Sequence, residues 1–545
     1  MRRSPRPSLP GARRRGRRRP LITAGGLLAV ACLLAPAAAG LGLAAPVAAE
    51  PGATGPTAAP AARVGLGADP TDVALLGERI NHLAVRPGQL AISGCFLASA
   101  PLFVTSGVDS LRVYDVADPA APRLVGVLPE VLFENEAMTC GERRTASGVR
   151  RFVLVGVDLV QAAPTDPSGP THVNVGGGEL IVVDVTTPSR PRIAGRTEAT
   201  TSTHTVACID VRDCRYAYSA GEDEQDPHFS IVDLTSLERP REVDAAPRRP
   251  GTQPFTSPTA GHQWNIDAAG VATHTGWGGA SMWDVSDPRR PRLLATTGRA
   301  GRGEDPRHPG WNDFILHNAF RPHADRFEPN RPPSLTSGNV LLVTEEDYEQ
   351  TDCARAGSFQ TWWVKRLGGP GAPGRIVPLD KVELADLGTY PLPRGAFCSS
   401  HWFDYRPGGL VAAGFYGGGT QILDVRDPRR IRSYSHAVWG ASEVWDAMWV
   451  PVYRDGRRTS ARTNVVYSLD LVRGLDVYAV DVPGDGRGAL PPPARGGPVG
   501  PGDAAGAGTL VLAAGAAAFG LTLLRRRRPV RGGSEIRVPA PAASA

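Results

Sequence analysis

Leu180-Ile-Val-Val-Asp184-Val-Thr-Thr-Pro188-Ser-Arg190-Pro-Arg192 is one copy of a motif that recurs along the chain. Others are Leu111-Arg-Val-Tyr-Asp115-Val-Ala-Asp-Pro-Ala-Ala-Pro-Arg123, Ser230 to Arg241, Ser281-Met-Trp-Asp284-Val-Ser-Asp-Pro-Arg-Arg-Pro-Arg292 and Gln421 to Arg432. A truncated copy, Leu475 to Asp481, ends the series. The aligned aspartates Asp115, Asp184, Asp233, Asp284, Asp424 and Asp481 stand 69, 49, 51, 140 and 57 residues apart, and the long gap holds a degenerate copy, Phe359 to Val364.

Each copy is a short β-branched strand that stops at Asp and Pro. Proline presets φ for a turn and Asp accepts a local backbone bond. The second Pro opens the next strand, where a missing N–H is tolerated. Two further apolar runs precede each copy, as Thr205 to Asp210 and Tyr216 to Ala220 do. Four strands at this period predict a β-propeller. The fold class is therefore all-β, with seven four-stranded blades over residues 80–482; six and eight are the neighbouring counts. The last copy lacks its fourth strand, and an N-terminal run such as Ile80 to Val85 would close the ring and leave no sheet edge open.

The motif resembles the LVIVD repeat of bacterial and archaeal surface proteins, with Leu180-Ile-Val-Val-Asp184 nearest the namesake. That resemblance implies a surface propeller and leaves the biochemical role open. The repeated Asp and Arg are expected to brace strands.

The chain's net charge of +6 divides unevenly. Residues 1–49 hold nine Arg and no acid, and 525–545 hold six Arg and one Glu, so the stretch between carries −8. A nucleic-acid partner loses its electrostatic footing on so acidic a body. Gly and Pro together make about a fifth of the 545 residues, which is turn-rich yet below the composition of a disordered chain.

Residues 1–49 have the pattern of a signal peptide: an Arg-rich start, an Ala/Leu/Gly run and Val47-Ala48-Ala49 as a cleavage site. Arg17-Arg18-Arg19-Pro20-Leu21-Ile22 fits a twin-arginine pattern. Residues 50–79 are expected to be a low-order segment. A Pro/Gly-rich stalk covers 483–503, and 504–524 is an uncharged Ala/Gly/Leu run followed by Arg525 to Arg528. About 20 apolar residues cross a bilayer, and the Arg cluster stays inside. The expectation is a single-pass cell-membrane protein with an extracytoplasmic propeller and a basic cytoplasmic tail, 525–545. Six cysteines remain beyond the signal, which argues for disulfides in an exported chain. Cys208 and Cys214 flank a hairpin-like turn and are expected to pair. The pairing of Cys95, Cys140, Cys353 and Cys398 stays open.

The first strands of the blades share a feature at their starts. Glu136, His204, His262, His317, His401 and Glu443 fall at similar positions in six blades, at one end of the central channel. Four imidazoles there can bind iron, copper or another first-row metal, with Glu136 and Glu443 behind them orienting ring nitrogens. The alternative is that the histidines only satisfy buried backbone groups and trapped water. A four-histidine axial site resembles that of the carotenoid-cleavage oxygenases, although the repeats match neither that family nor the methanethiol oxidase propellers. Trp264, Trp402 and Trp445 are expected to pack between blades. The acidic runs 222–226 and 345–349 are expected to be solvated loops, with calcium as the other option. Two functions follow: a surface module binding a protein, glycan or small-molecule ligand, or a metal-dependent oxidoreductase. Hydrolase elbows, zincin motifs, P-loops and glycosylation sequons are all missing from the sequence.

Overall fold

The computed structural model describes residues 74–86, 91–107, 110–129, 136, 138–157, 178–199, 201, 203–221, 227–243, 255–297, 314–348, 350, 352–369, 374–388 and 398–482. The expected signal peptide, stalk, membrane span and tail lie outside the described residues, as does the acidic run 222–226. Among the described residues no helix is long and apolar enough to cross a membrane.

Among the described residues the strands form seven antiparallel blade sheets, six of four strands and one widened to five, beside a separate two-stranded pair of His228–Phe229 with Phe255–Thr256. Blade one begins with Ala91–Phe96, blade two with Met138–Thr145, blade three with Thr205–Cys208 and blade four with Gln263–Ile266. Blades five, six and seven begin with Ile315–Phe320, Phe403–Arg406 and Val444–Arg454. These first strands touch one another from blade to blade and so line the axis. The chain closes the ring as expected: Ile80–Arg86 pairs antiparallel with Gly474–Val480 as the fourth strand of blade seven, Ile80 opposite Val480. Seven blades is thus the count.

Of the segment 50–79, only 74–79 are described. Ala74–Leu76 is a strand, added to the outer edge of blade six through Ala74 opposite Trp439.

A blade is covered on both faces by its neighbours, so its middle strands are buried at nearly every position rather than alternately. Val340–Glu346 is buried along its whole length, and Leu102–Gly107 likewise. Phe152, Leu154, Leu180 and Val182 of blade two pack on Val206, Ala217 and Val232 of blade three. Each such side chain contributes about 1.5–3 kcal/mol by leaving water.

The repeat is explained by its third and fourth strands. Asp115, Asp184, Asp233, Asp284 and Asp424 each end a third strand and stand opposite Arg123, Arg192, Arg241, Arg292 and Arg432, which begin the fourth. One carboxylate oxygen accepts the backbone N–H two residues on, at 3.0 Å for Ala117, 2.9 Å for Thr186 and 2.8 Å for Thr235. The other takes the arginine eight residues on, at 2.8 Å for Arg123, 3.0 Å for Arg192 and 2.9 Å for Arg292. The motif therefore encodes a turn and its brace.

The six cysteines form three disulfides. Cys208–Cys214 closes the turn after the first strand of blade three, Cys95–Cys140 ties the first strands of blades one and two, and Cys353–Cys398 ties blade five to the approach to blade six.

Candidate metal centre

The histidines stand where first strands start, because each blade hands the chain to the next at that end. His204 and His262 immediately precede Thr205–Cys208 and Gln263–Ile266, and His401 precedes Phe403–Arg406 by two residues. His317 lies within Ile315–Phe320, at a break in the pairing register between Leu316 and Ala319. Glycine at the end of a neighbouring strand makes two of these positions possible. A Cβ on Gly156 would lie 2.2 Å from the Thr203 carbonyl oxygen, and one on Gly276 would lie 1.5 Å from that of Gly261. Threonines then pin the backbone across blades: Thr275 Oγ1 donates to the His317 carbonyl at 2.6 Å, and Thr205 Oγ1 to that of His262.

All four imidazoles meet at Glu136. His317 Nε2 lies 2.8 Å from Glu136 Oε1, His401 Nε2 contacts the same oxygen, and His204 Nε2 contacts Oε2. His262 Nε2 is 3.9 Å from Glu136 Oε2. Ring centroids step from His204 to His262 at 4.7 Å, to His317 at 4.3 Å and to His401 at 3.9 Å. The set is closed from water, with His204 5% exposed, His262 1%, Glu136 4%, and His317 and His401 0%.

Two expectations about the carboxylates change. Glu136 does not stand behind the histidines; it lies among them. Glu443 is not turned to an imidazole but accepts the indole N–H of Trp445 at 3.0 Å. Burial pushes its carboxyl up to about 7, against the lowering effect of that bond.

The second carboxylate of the site is Glu346, from the run 345–349 expected to be solvated. Its Oε2 lies 3.8 Å from His317 Nε2 and 3.9 Å from His262 Nε2. Glu345 and Glu346 are both buried, since the second strand of blade five continues through them. Glu136, His262, His317 and Glu346 each place a potential metal-ligating atom within 4.8 Å of the others'. Tyr416 also joins the site: its O–H donates to Glu346 Oε1 at 2.6 Å, and its ring lies 4.7 Å from that of His401. Tyr416 holds a φ of 44°, in a region costly for a side-chain-bearing residue, and is fastened by two backbone bonds to Val444.

Trp264 packs between blades as expected, its ring 5.1 Å from that of Tyr218 of blade three and stacked at 4.1 Å on buried His274 of its own blade. Trp402 and Trp445 instead flank the site, 5.1 Å from His317 and His401 respectively.

The electrostatics differ from ring to ring: against burial, Glu136 and then Glu346 hold His401 above the usual imidazole range. Burial would raise the Glu136 carboxyl, but His204, His401 and His262 hold it well below the usual carboxylate range. Burial and then His317 push His262 well below the usual imidazole range, and burial and then His401 push His317 down to about 3. These shifts favour the neutral ring at both positions, the form that keeps a lone pair for a metal. His401 Nδ1 lies 2.7 Å from the Trp445 carbonyl, the partner that turns Nε2 inward. The Nδ1 atoms of His262 and His317 are buried with no hydrogen-bond partner among the described residues. Imidazole nitrogen with carboxylate oxygen is a donor set for first-row divalent metals. The residues thus fit a metal ion.

No protein-family model and no curated protein sequence matches the chain. Among solved structures it is similar to the Myceliophteria thermophila Cps50 (Swd1) β-propeller domain, at 12% identity over 74% of this chain and 100% of that one, with a TM-score of 0.44. It is also similar to Kuenenia stuttgartiensis hydrazine synthase, at 13% identity over 72% and 97%, with a TM-score of 0.41.

Proposed function

We propose that this chain is an exported surface propeller of the LVIVD-repeat kind, held to the membrane by residues 504–524, and a metal-dependent oxidoreductase. His204, His262, His317 and His401, with Glu136 and Glu346, would hold iron or copper at the propeller axis. The observation that carries the reading is the convergence of four buried imidazoles from four blades on one carboxylate. Bound there, iron or copper would supply one-electron redox chemistry. The chain's own residues do the rest: Trp445 and the threonines orient rings, Tyr416 holds Glu346 by its proton, and the closed blades keep water out. The twin-arginine pattern supports the reading, because that route carries folded, cofactor-loaded proteins.

Elemental analysis of the purified protein tests it. About one iron or copper per chain is expected, lost in a His317→Ala, His401→Ala variant that keeps its far-ultraviolet circular dichroism. A metal-free wild type at full folding overturns the metal and with it the enzyme.

A second reading is a binding or scaffolding module for a protein or glycan. It is favoured by a polar cavity of about 400 Å3 beside the site, lined by Glu345, Asp347, Arg355, Lys381 and Glu383 among others. Under that reading, replacing all four histidines leaves ligand capture unchanged.

A further inference from the structure

The repeat turns hold two kinds of arginine. Arg123, Arg192 and Arg292 are drawn back onto the aspartates of their own turns. Arg190, Arg239, Arg289, Arg290, Arg429 and Arg430 sit at the turn tips, exposed, and enter no ion pair among the described residues.

Strand direction gathers these tips at one end. A first strand starts at the histidine end, so third strands finish, and the turns lie, at the opposite end; in blade three, Thr205 pairs with Ala220 while Tyr216 pairs with Asp233. The five turns 115–123, 184–192, 233–241, 284–292 and 424–432 hold twelve arginines against nine carboxylates. The hairpin ends 142–151 and 453–463 reach the same end and add eight arginines against Glu142 and Asp455. Turn 365–375 adds Lys365, Arg366 and Arg375 with no acid. These turns hold twenty-three basic residues against eleven acidic ones, and the other first-to-second-strand turns at this end, 209–215, 267–270, 321–339 and 406–409, add six arginines against five acids, in a body whose net charge is −8. The strand Gly474–Val480 also runs toward it, so the chain leaves the ring beside the arginines.

We infer that this arginine end docks on the anionic lipid headgroups of the membrane to which the chain is tethered, turning the histidine end outward. The inference rests on the anchoring part of the reading above and is independent of the metal. Guanidinium forks match phosphate oxygens, and each basic residue near an anionic bilayer is worth about 1 kcal/mol. Screening within about 8 Å at physiological salt makes the attraction one of contact. The stalk supplies that contact, because a short tether holds its ends at an effective millimolar concentration.

The test uses the full chain reconstituted with vesicles of phosphatidylcholine, with or without phosphatidylglycerol. A fluorophore on Arg290→Cys or on Thr256→Cys, at the histidine end, reports quenching by a headgroup-linked quencher. The Arg290 probe is expected to be quenched severalfold more when phosphatidylglycerol is present, with the effect lost in high salt, and the Thr256 probe to stay bright. Neutralising Arg289, Arg429 and Arg430 to Gln is expected to weaken docking about a hundredfold, at about fivefold per residue. Flotation separates the two ideas. Chain that floats with both vesicles but shows no lipid-dependent quenching keeps the anchor and overturns docking. Chain that floats only with phosphatidylglycerol keeps docking if the Arg290 probe is quenched there, overturns it if that probe stays bright, and in either case overturns the anchor. Flotation with neither, or quenching of the Thr256 probe instead, overturns docking.

Discussion

The two ends of the propeller are built on opposite principles. At the arginine end, the repeat aspartates find partners two and eight residues away, as Asp284 does with Ser286 and Arg292. At the histidine end the partners are remote: Glu136 meets residues 181 and 265 positions away in His317 and His401. The first kind of contact repeats, is exposed and is individually weak. The second occurs once, is dry and holds groups that water would otherwise solvate. Changes at the arginine end should therefore move stability in small steps, and changes at the histidine end should abolish a property outright.

The largest effect expected is at the axis. Glu136→Leu takes away the carboxylate on which all four imidazoles converge, and bound metal should fall from about one per chain to a few per cent by elemental analysis. Retention of metal would show that the imidazoles hold it alone. Next comes the bond between blades one and two. Cys95→Ser with Cys140→Ser opens a loop of 45 residues and should cost about 4 kcal/mol in urea unfolding, against about 2 kcal/mol for the six-residue loop of Cys208 and Cys214. An equal cost would mean that the short loop does more than restrain the unfolded chain.

Acid should separate the ends by window. Burial pushes His274, stacked on Trp264, down to about 3 in the folded protein. Its folded value lies below its unfolded one, so the unfolded chain takes up the proton first. Its contribution is complete above about pH 6.5 and is lost as pH falls from there toward 3. The repeat aspartates Asp184, Asp284 and Asp424 also have lowered values; burial opposes this for Asp184 and Asp424, while backbone and arginine bonds lower all three. Their contribution is present above about pH 4 and is lost only below it. Unfolding free energy from urea should thus fall by a few kcal/mol between pH 6.5 and 4 in wild type, and by less in His274→Gln, which keeps the contributions of His262 and His317 in the same window. The smallest effect is Asp284→Ala, which removes one turn bond and one exposed ion pair and should cost about 1 kcal/mol with metal content unchanged.

This contrast decides what could be read from the chain. The Asp-Pro turns and their arginines were legible because their partners are neighbours in sequence and recur. The closing strand was legible because the last copy lacked its fourth strand. The four histidines could be aligned, since strand starts recur with the blades. Glu346 and Tyr416 could not be aligned, because they sit at second-strand ends and in a following turn, where nothing repeats. The run Val340–Glu346 did carry a signal: a strand that stays apolar up to two glutamates places them at a blade end, not in a free loop. Glu136 and Glu443 were expected in one role, behind the histidines, and took different ones. Both precede a first strand, and only the packed ring decides that one faces the imidazoles and the other an indole.

By itself the sequence determined an all-β ring of repeated blades, its closure, its braced turns, the hairpin disulfide and the concentration of basic residues in the turns. Tertiary structure alone decided the carboxylates that meet the histidines, the neutrality of His262 and His317, the pairing of Cys95 with Cys140 and of Cys353 with Cys398, and the gathering of the arginines at one end. The physical reason is range. Strand, turn and brace act over a few residues and leave a period in the sequence, whereas desolvation and charge at the axis depend on which remote groups the closed ring brings within a few ångströms.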